Sequence, residues 1–180
     1  MTFAYDTELA LQSAVWLVNS AKGPDRLEST QSLRDFLQEW SYSGSHDRSQ
    51  AELAEVRRAR ATLRQMLIAP RDQAAAIVNE ILDGANAVPQ LVRHDEFDWH
   101  LHAVSSDDSL ARRILVETAM AMIDVIRVDQ HSRISVCGAD DCNGLVLDLS
   151  RNRSRKFCST TCGNRVAVAA YRARQATEGP

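Results

Sequence analysis

The sequence predicts an α+β protein in two parts: a mainly helical N-terminal domain with one β-hairpin, and a small cysteine-rich C-terminal domain. Three observations lead to this prediction. Apolar residues recur with helical spacing through most of the first 130 positions, one short segment alternates instead, and all four cysteines fall after position 130. A length of 180 residues suits one domain with a small appendage. We therefore predict domains of residues 1–130 and 131–180.

The first two helices are identified by apolar spacing and by the residues at their ends. In "LQSAVWLV" (residues 11–18) apolar side chains recur every three or four positions, and the turn-forming "KGPD" follows. The second helix, in "STQSLRDFLQEW", has Ser29, Thr30 and Ser32 as possible N-caps, and Ser32 with Asp35 fits a capping box. Both helices therefore have an apolar face and a predicted end.

Three further helices and a hairpin complete the N-terminal domain. Pro70 is predicted to end the third helix or to begin the fourth, "RDQAAAIVNEILDG", which Gly84 closes. The segment "VPQLVRHDEFDWHLHAV" (residues 88–104) contains two short runs around "HDE", which predicts a β-hairpin. The stretch from 109 to 128 has the widest apolar face, so we predict that it is the central helix of the core.

Composition and motifs favour a protein that is not an enzyme. The chain is 44% apolar and 25% charged, as in ordinary globular proteins, and it has no run near the ~20 apolar residues of a membrane span. It lacks a glycine-rich phosphate loop, a nucleophile elbow and a catalytic carboxylate pair. His100 and His102 share a strand face without a third metal ligand nearby. Since no signal peptide is evident, we predict a cytoplasmic protein without a membrane partner.

Charge is distributed unevenly along the chain. Residues 1–130 hold 13 Lys and Arg against 20 Asp and Glu, whereas residues 131–180 hold 8 against 4. Between Arg151 and Arg174 there are seven basic residues and no acidic one. The net charge of −3 therefore conceals a basic C-terminal end that suits a polyanionic partner.

The four cysteines, Cys137, Cys142, Cys158 and Cys162, form the pattern C-x4-C-x15-C-x3-C. Two close pairs separated by a medium spacer are what a tetrahedral zinc site requires. Four thiolates fill the coordination sphere and leave no position for water, so such an ion is structural and not catalytic. Without an export signal, thiols in a reducing cytosol are favoured over disulfides. We predict one structural Zn²⁺ bound by these four residues.

The sequence around the cysteines predicts a treble-clef finger. Gly144 follows the first pair, where a tight knuckle turn is expected to need a positive φ, and "LVLDLS" and "KFC" are predicted to pair as strands around the turn "RNRSR". The second pair opens a helix, and Gly163 is expected to let the chain pass close to the metal. A small-residue face of that helix is predicted to pack on the hairpin: Val166, Ala169, Ala170 and Ala173.

At these residues the sequence resembles the bacterial CGNR zinc fingers, named after the tetrad that stands here at residues 162–165. The resemblance covers about residues 133–175, including "CNGLVLDLSRNRSRKFCS" and "CGNRVAVAAYRAR". The front of the chain, with "AVWLVNS", "LESTQSLRDFL" and "WHLHAV", resembles the helical ABATE domain over roughly residues 6–128. The resemblance implies a stress-induced transcription regulator whose finger binds DNA.

The basic residues of the finger are the candidate DNA contacts: Arg151, Arg153, Arg155, Lys156, Arg165 and Arg172. The first three alternate in the predicted hairpin turn and would project on one side, and six phosphate contacts would give a log-log salt slope of about −5. Arg165 can equally be a structural partner of the thiolate cluster.

Duplex DNA is favoured because no aromatic platform for single strands is evident. RNA and an acidic protein surface remain alternative partners of the finger. The N-terminal domain would bind a small-molecule effector or form a homodimer.

Overall fold

The computed structural model describes residues 3–93 and 98–177, and within them the predicted α+β fold is confirmed. A short 3₁₀ turn, His131–Arg133, precedes the second hairpin. The elements are α1 (Tyr5–Ser20), α2 (Thr30–Glu39), α3 (Gln50–Ile68), α4 (Arg71–Gly84), β1 (Gln90–Val92), β2 (His100–His102), α5 (Leu110–Arg127), β3 (Ile134–Val136), β4 (Leu145–Leu147) and α6 (Thr160–Thr177). None of the described helices combines the length and the hydropathy that are needed to span a bilayer.

Serine side chains cap the starts of α2, α3 and α5, whereas α1 and α4 have no side-chain cap, and one capping prediction is corrected. Ser29 caps α2, and its capping partner is Ser32, whose hydroxyl accepts the Ser29 N–H. The predicted box between Ser32 and Asp35 is therefore wrong, because Ser32 lies at the third helical position and not at the cap. Pro70 immediately precedes α4, where its fixed φ suits a helix start.

Helix α5 is the centre of the helical core, as its apolar face predicts. It packs against α1, α3 and α4. Leu110, Ile114 and Met122 are fully buried along it, and Phe36 of α2 lies in the same apolar cluster. Burying large side chains of this kind stabilises the fold by about 1.5–3 kcal/mol each.

The first hairpin pairs β1 with β2 in antiparallel register, so that Leu91 lies opposite Leu101. The predicted turn "HDE" (residues 94–96) lies outside the described residues. Both of these leucines are exposed, and Trp99 just before β2 is 62% exposed. This small sheet therefore contributes little to the helical core.

The second hairpin differs from the predicted pairing. β4 pairs with β3, which precedes the first cysteine, and "KFC" forms no strand. The β3–β4 pairing places Ile134, Leu145 and Leu147 in the same apolar cluster as the helices. This burial explains why β3, and not "KFC", pairs with β4. The segment "KFC" offers one large apolar side chain, and its other two residues are a lysine and a cysteine of the metal centre. The carbonyl of Lys156 accepts one N–H, that of Gly138, at 2.9 Å.

Candidate metal centre

The four cysteine sulfurs converge on one point, with all four atoms within 4.8 Å of one another. The Cys142 Sγ lies 3.6 Å from the Cys158 Sγ, which in turn lies 3.7 Å from the Cys162 Sγ. A tetrahedral ion with Zn–S bonds of about 2.3 Å places its ligands about 3.8 Å apart. All four thiols are free, and these separations are far longer than a disulfide bond. The donor set and its spacing therefore fit one structural Zn²⁺.

Backbone N–H groups hold the sulfurs in place. The Gly144 N–H donates to the Cys142 Sγ at 3.4 Å, and the Cys158 N–H donates to the Cys137 Sγ at 3.4 Å. At the start of α6 the Ser159 hydroxyl accepts the Cys162 N–H at 3.2 Å. Bonds of this kind orient thiolates and lower the cost of gathering four like charges.

Gly144 and Gly163 of the finger are required for space and not for an unusual backbone. Gly144 does not have the predicted positive φ. A Cβ built there would lie 2.9 Å from the Cys158 Sγ and 3.2 Å from the Asn19 Oδ1. At Gly163 a Cβ would meet the Phe157 ring at 3.3 Å, so this glycine makes room for an aromatic side chain and not for the metal.

Lys22, just after α1, is a part of this centre that the sequence did not predict. Its ammonium nitrogen lies 3.1 Å from the Cys142 Sγ and from the Cys158 Sγ, and 3.6 Å from the Cys162 Sγ. Four thiolates with one Zn²⁺ carry a charge of about −2, which a nearby ammonium partly offsets. The hydrogen bonds to the two nearer sulfurs raise the pKa of Lys22. Burial opposes ionisation of Cys142, but the Lys22 ammonium outweighs it with other donors and lowers that pKa to about 6.

Asn19, near the end of α1, fixes the finger to the helical core. Its side-chain amide donates to the Leu145 carbonyl at 2.9 Å and accepts the Leu145 N–H at 2.6 Å, much as a neighbouring strand would. No local pattern signals either contact, because α1 and the finger are more than 100 residues apart in the sequence. The end of α1 therefore positions both the strand β4 and the metal ligands.

The basic loop, residues 151–156, joins β4 to α6 and is not the turn of a hairpin as predicted. Arg151, Arg153, Arg155 and Lys156 are all exposed there. Arg153 has a φ of 48° and donates to the Gln130 side chain at 2.8 Å. The Asp148 carboxylate accepts the backbone N–H groups of Ser150 and Arg155 at 2.8 and 2.7 Å. The backbone of this loop is thus fixed at both ends while its basic side chains reach solvent.

The two remaining predicted contacts lie on α6. Arg165 forms an ion pair with Asp141 and lies 3.8 Å from the Cys162 Sγ, whereas Arg172 is exposed two turns later.

The predicted packing face of α6 is wrong beyond its first residue. Val166 is half-buried, but Ala169, Ala170 and Ala173 are exposed. From residue 167 to 176 every side chain of α6 is exposed, so this part of the helix projects from the fold.

Comparison with known protein families agrees with the fold and the metal centre. The model of the CGNR zinc finger matches residues 133–175. The ABATE model, described as "Putative stress-induced transcription regulator", matches residues 11–129. Both predicted resemblances and their order are confirmed, while no curated protein matches the chain. Because the ABATE match covers more than half of the sequence, the chain belongs to the ABATE family and carries a CGNR zinc finger with one structural Zn²⁺ site at its C-terminal end.

Proposed function

We propose that this protein regulates transcription by binding duplex DNA through residues 131–180, under the control of residues 1–130. The observation that carries the proposal is the basic loop beside the metal centre. The Asp148 carboxylate holds its backbone, and the Gln130 side chain accepts a hydrogen bond from the Arg153 guanidinium, yet all four basic side chains are exposed. Because this backbone is already ordered, contact between these basic groups and phosphates would cost side-chain entropy but little backbone entropy.

Helix α6 supplies the element that would enter a groove. Its exposed part, residues 167–176, is about 15 Å long and has mostly small side chains. A B-DNA major groove is about 12 Å wide and admits one α-helix. Arg172 lies on this part and is the candidate for a base or phosphate contact. The Asp141 ion pair favours a role for Arg165 in holding the finger together.

The N-terminal domain would supply control. We propose that it binds a small-molecule effector or joins two copies into a homodimer, which would double the small contact area of one finger. The cytoplasm is the expected compartment, because four zinc-binding thiols need reducing conditions.

The test compares two double variants in DNA binding at several salt concentrations. Replacing Arg151 and Arg155 by alanine removes two exposed cations from the loop and leaves the hydrogen bond from Arg153 to Gln130 intact. Each lost phosphate contact should reduce the log-log salt slope by about 0.9, so the double variant should lose about 1.8. The matched control replaces Arg34 and Arg58, which are exposed on α2 and α3, and should leave the slope unchanged.

Three results would contradict this function. They are an unchanged slope in the loop variant, an equal loss in the control variant, and displacement of duplex DNA by RNA at lower concentration than by competing DNA. A folded finger must be verified in each variant by its zinc content.

A further inference from the structure

The helical domain contains a cavity of about 410 Å³ between the first half of α1, α5 and the β1–β2 hairpin. This volume lies within the range of small-molecule sites. Much of its wall is aromatic or apolar, with Trp40, Tyr42, Trp99, Met120 and Ile123. Besides Tyr42, the wall contains ten polar or charged side chains, and five of these are hydrogen-bonded to another side chain of the wall: Thr7, Ser13, His100, His102 and Asp124.

These five polar side chains already form hydrogen bonds within the protein and do not require a ligand as a partner. The Tyr42 hydroxyl lies 2.9 Å from the Ser13 hydroxyl, and the Thr7 hydroxyl donates to the Asp124 carboxylate at 2.8 Å. The Nε2 atoms of His100 and His102 lie 3.1 Å apart. Burial raises the pKa of Tyr42, so its hydroxyl stays neutral.

Glu117 of α5 is different. Among the described residues, no hydrogen bond or ion pair engages its carboxylate. The nearby cation, Arg113, donates instead to the backbone carbonyls of Ser43, Ser45 and Asp108. Removal from water raises the pKa of Glu117 to about 7. The carboxylate is half-buried and is attracted by the charge of Arg113 without a hydrogen bond from it, so a cationic ligand in the cavity would further stabilise its charged form.

We propose that this cavity binds a small aromatic amine, with its ammonium group on the Glu117 carboxylate and its ring among Trp40, Tyr42 and Trp99. The aromatic wall supplies apolar contact and a face for the cation. A carboxylate ligand is disfavoured by Glu117 itself. The inference deepens the effector role proposed above, and its regulatory meaning rests on that proposed function.

Calorimetric titration of the full, zinc-loaded chain tests the site with two probes of similar ring and opposite charge. Tryptamine should bind at millimolar concentration or below, and indole-3-acetate should bind more weakly. Glu117→Gln, which keeps the side-chain shape, should weaken tryptamine binding about tenfold. Glu80→Gln, on the exposed face of α4, is the matched control and should bind tryptamine as the wild type does.

A second variant distinguishes a loss of ligand binding from a loss of folding. Trp99 is largely exposed, so Trp99→Ala should keep the melting temperature while it weakens tryptamine binding several-fold. No heat of tryptamine binding, equal affinity in Glu117→Gln and wild type, or tighter binding of indole-3-acetate would each overturn the proposal. The titration contains no DNA, so failure of the DNA-binding role would not alter its result.

Discussion

The geometry of the metal centre predicts that the single methyl group added by Gly144→Ala weakens zinc binding. The added Cβ would lie 2.9 Å from the Cys158 Sγ, whereas ordinary contact begins at 3.4 Å. The sulfur would have to move by about 0.5 Å, which exceeds the tolerance of roughly 0.2 Å in metal–ligand distances. Asn19 closes the other side, because its Oδ1 would lie 3.2 Å from the same Cβ. Neither neighbour can move away without loss of a zinc bond or of the α1 contact.

The expected cost is that of overpacking a closed site, about 1–3 kcal/mol. Converted to affinity, this is a zinc dissociation constant raised about 5- to 150-fold. Competition against a chromophoric chelator under reducing conditions measures this constant, and thermal unfolding reports the accompanying loss of stability.

The same substitution at Gly84 is the matched control. A Cβ there meets no atom within 4 Å, so Gly84→Ala should leave zinc affinity unchanged and should alter stability by no more than about 1 kcal/mol. If Gly144→Ala binds zinc as tightly as the wild type, the close approach of this glycine to Cys158 does not exist in solution and the reasoning fails.

Three further predictions concern charge and metal. Lys22→Met should release zinc to a chelator several-fold faster than wild type, since the thiolates lose their ammonium; Lys156→Met, at an exposed lysine, should not. Chelation under reducing conditions should lower the melting temperature of the whole chain and not only unfold residues 131–180, because β3 and β4 share the helical core; an unchanged helical transition would refute this. The hydrogen bonds from Arg60 lower the pKa of Asp25 from 3.8 to about 2, so its stabilisation is present above pH 3.8 and is lost as pH falls toward 2. Asp25→Asn should therefore lower the melting temperature at pH 6 and differ less at pH 2.5; a constant difference would contradict the pairing.

The sequence alone determined the helices and the metal ligands. Apolar spacing of 3.6 residues identified α5 as the central helix, and this pattern follows from helix geometry without reference to any neighbour. The cysteine spacing predicted a four-thiol site because two short loops and a spacer are enough to surround one ion. The sequence predicted a capping box at the start of α2 but placed it three residues too late. Ser29 and Ser32 are the same residue type, so the pattern did not show which of them precedes the helix.

Only the tertiary structure decided how the finger joins the helical core. Strand β4 has β3 as its partner because this pairing buries Leu145 and Leu147 among the helices, a gain that no local pattern displays. Lys22 and the Glu117 cavity likewise depend on groups brought together from distant positions in the chain. Residue spacing is enough to predict the local geometry of helices and cysteine loops, whereas burial and charge pairing exist only after the chain has folded.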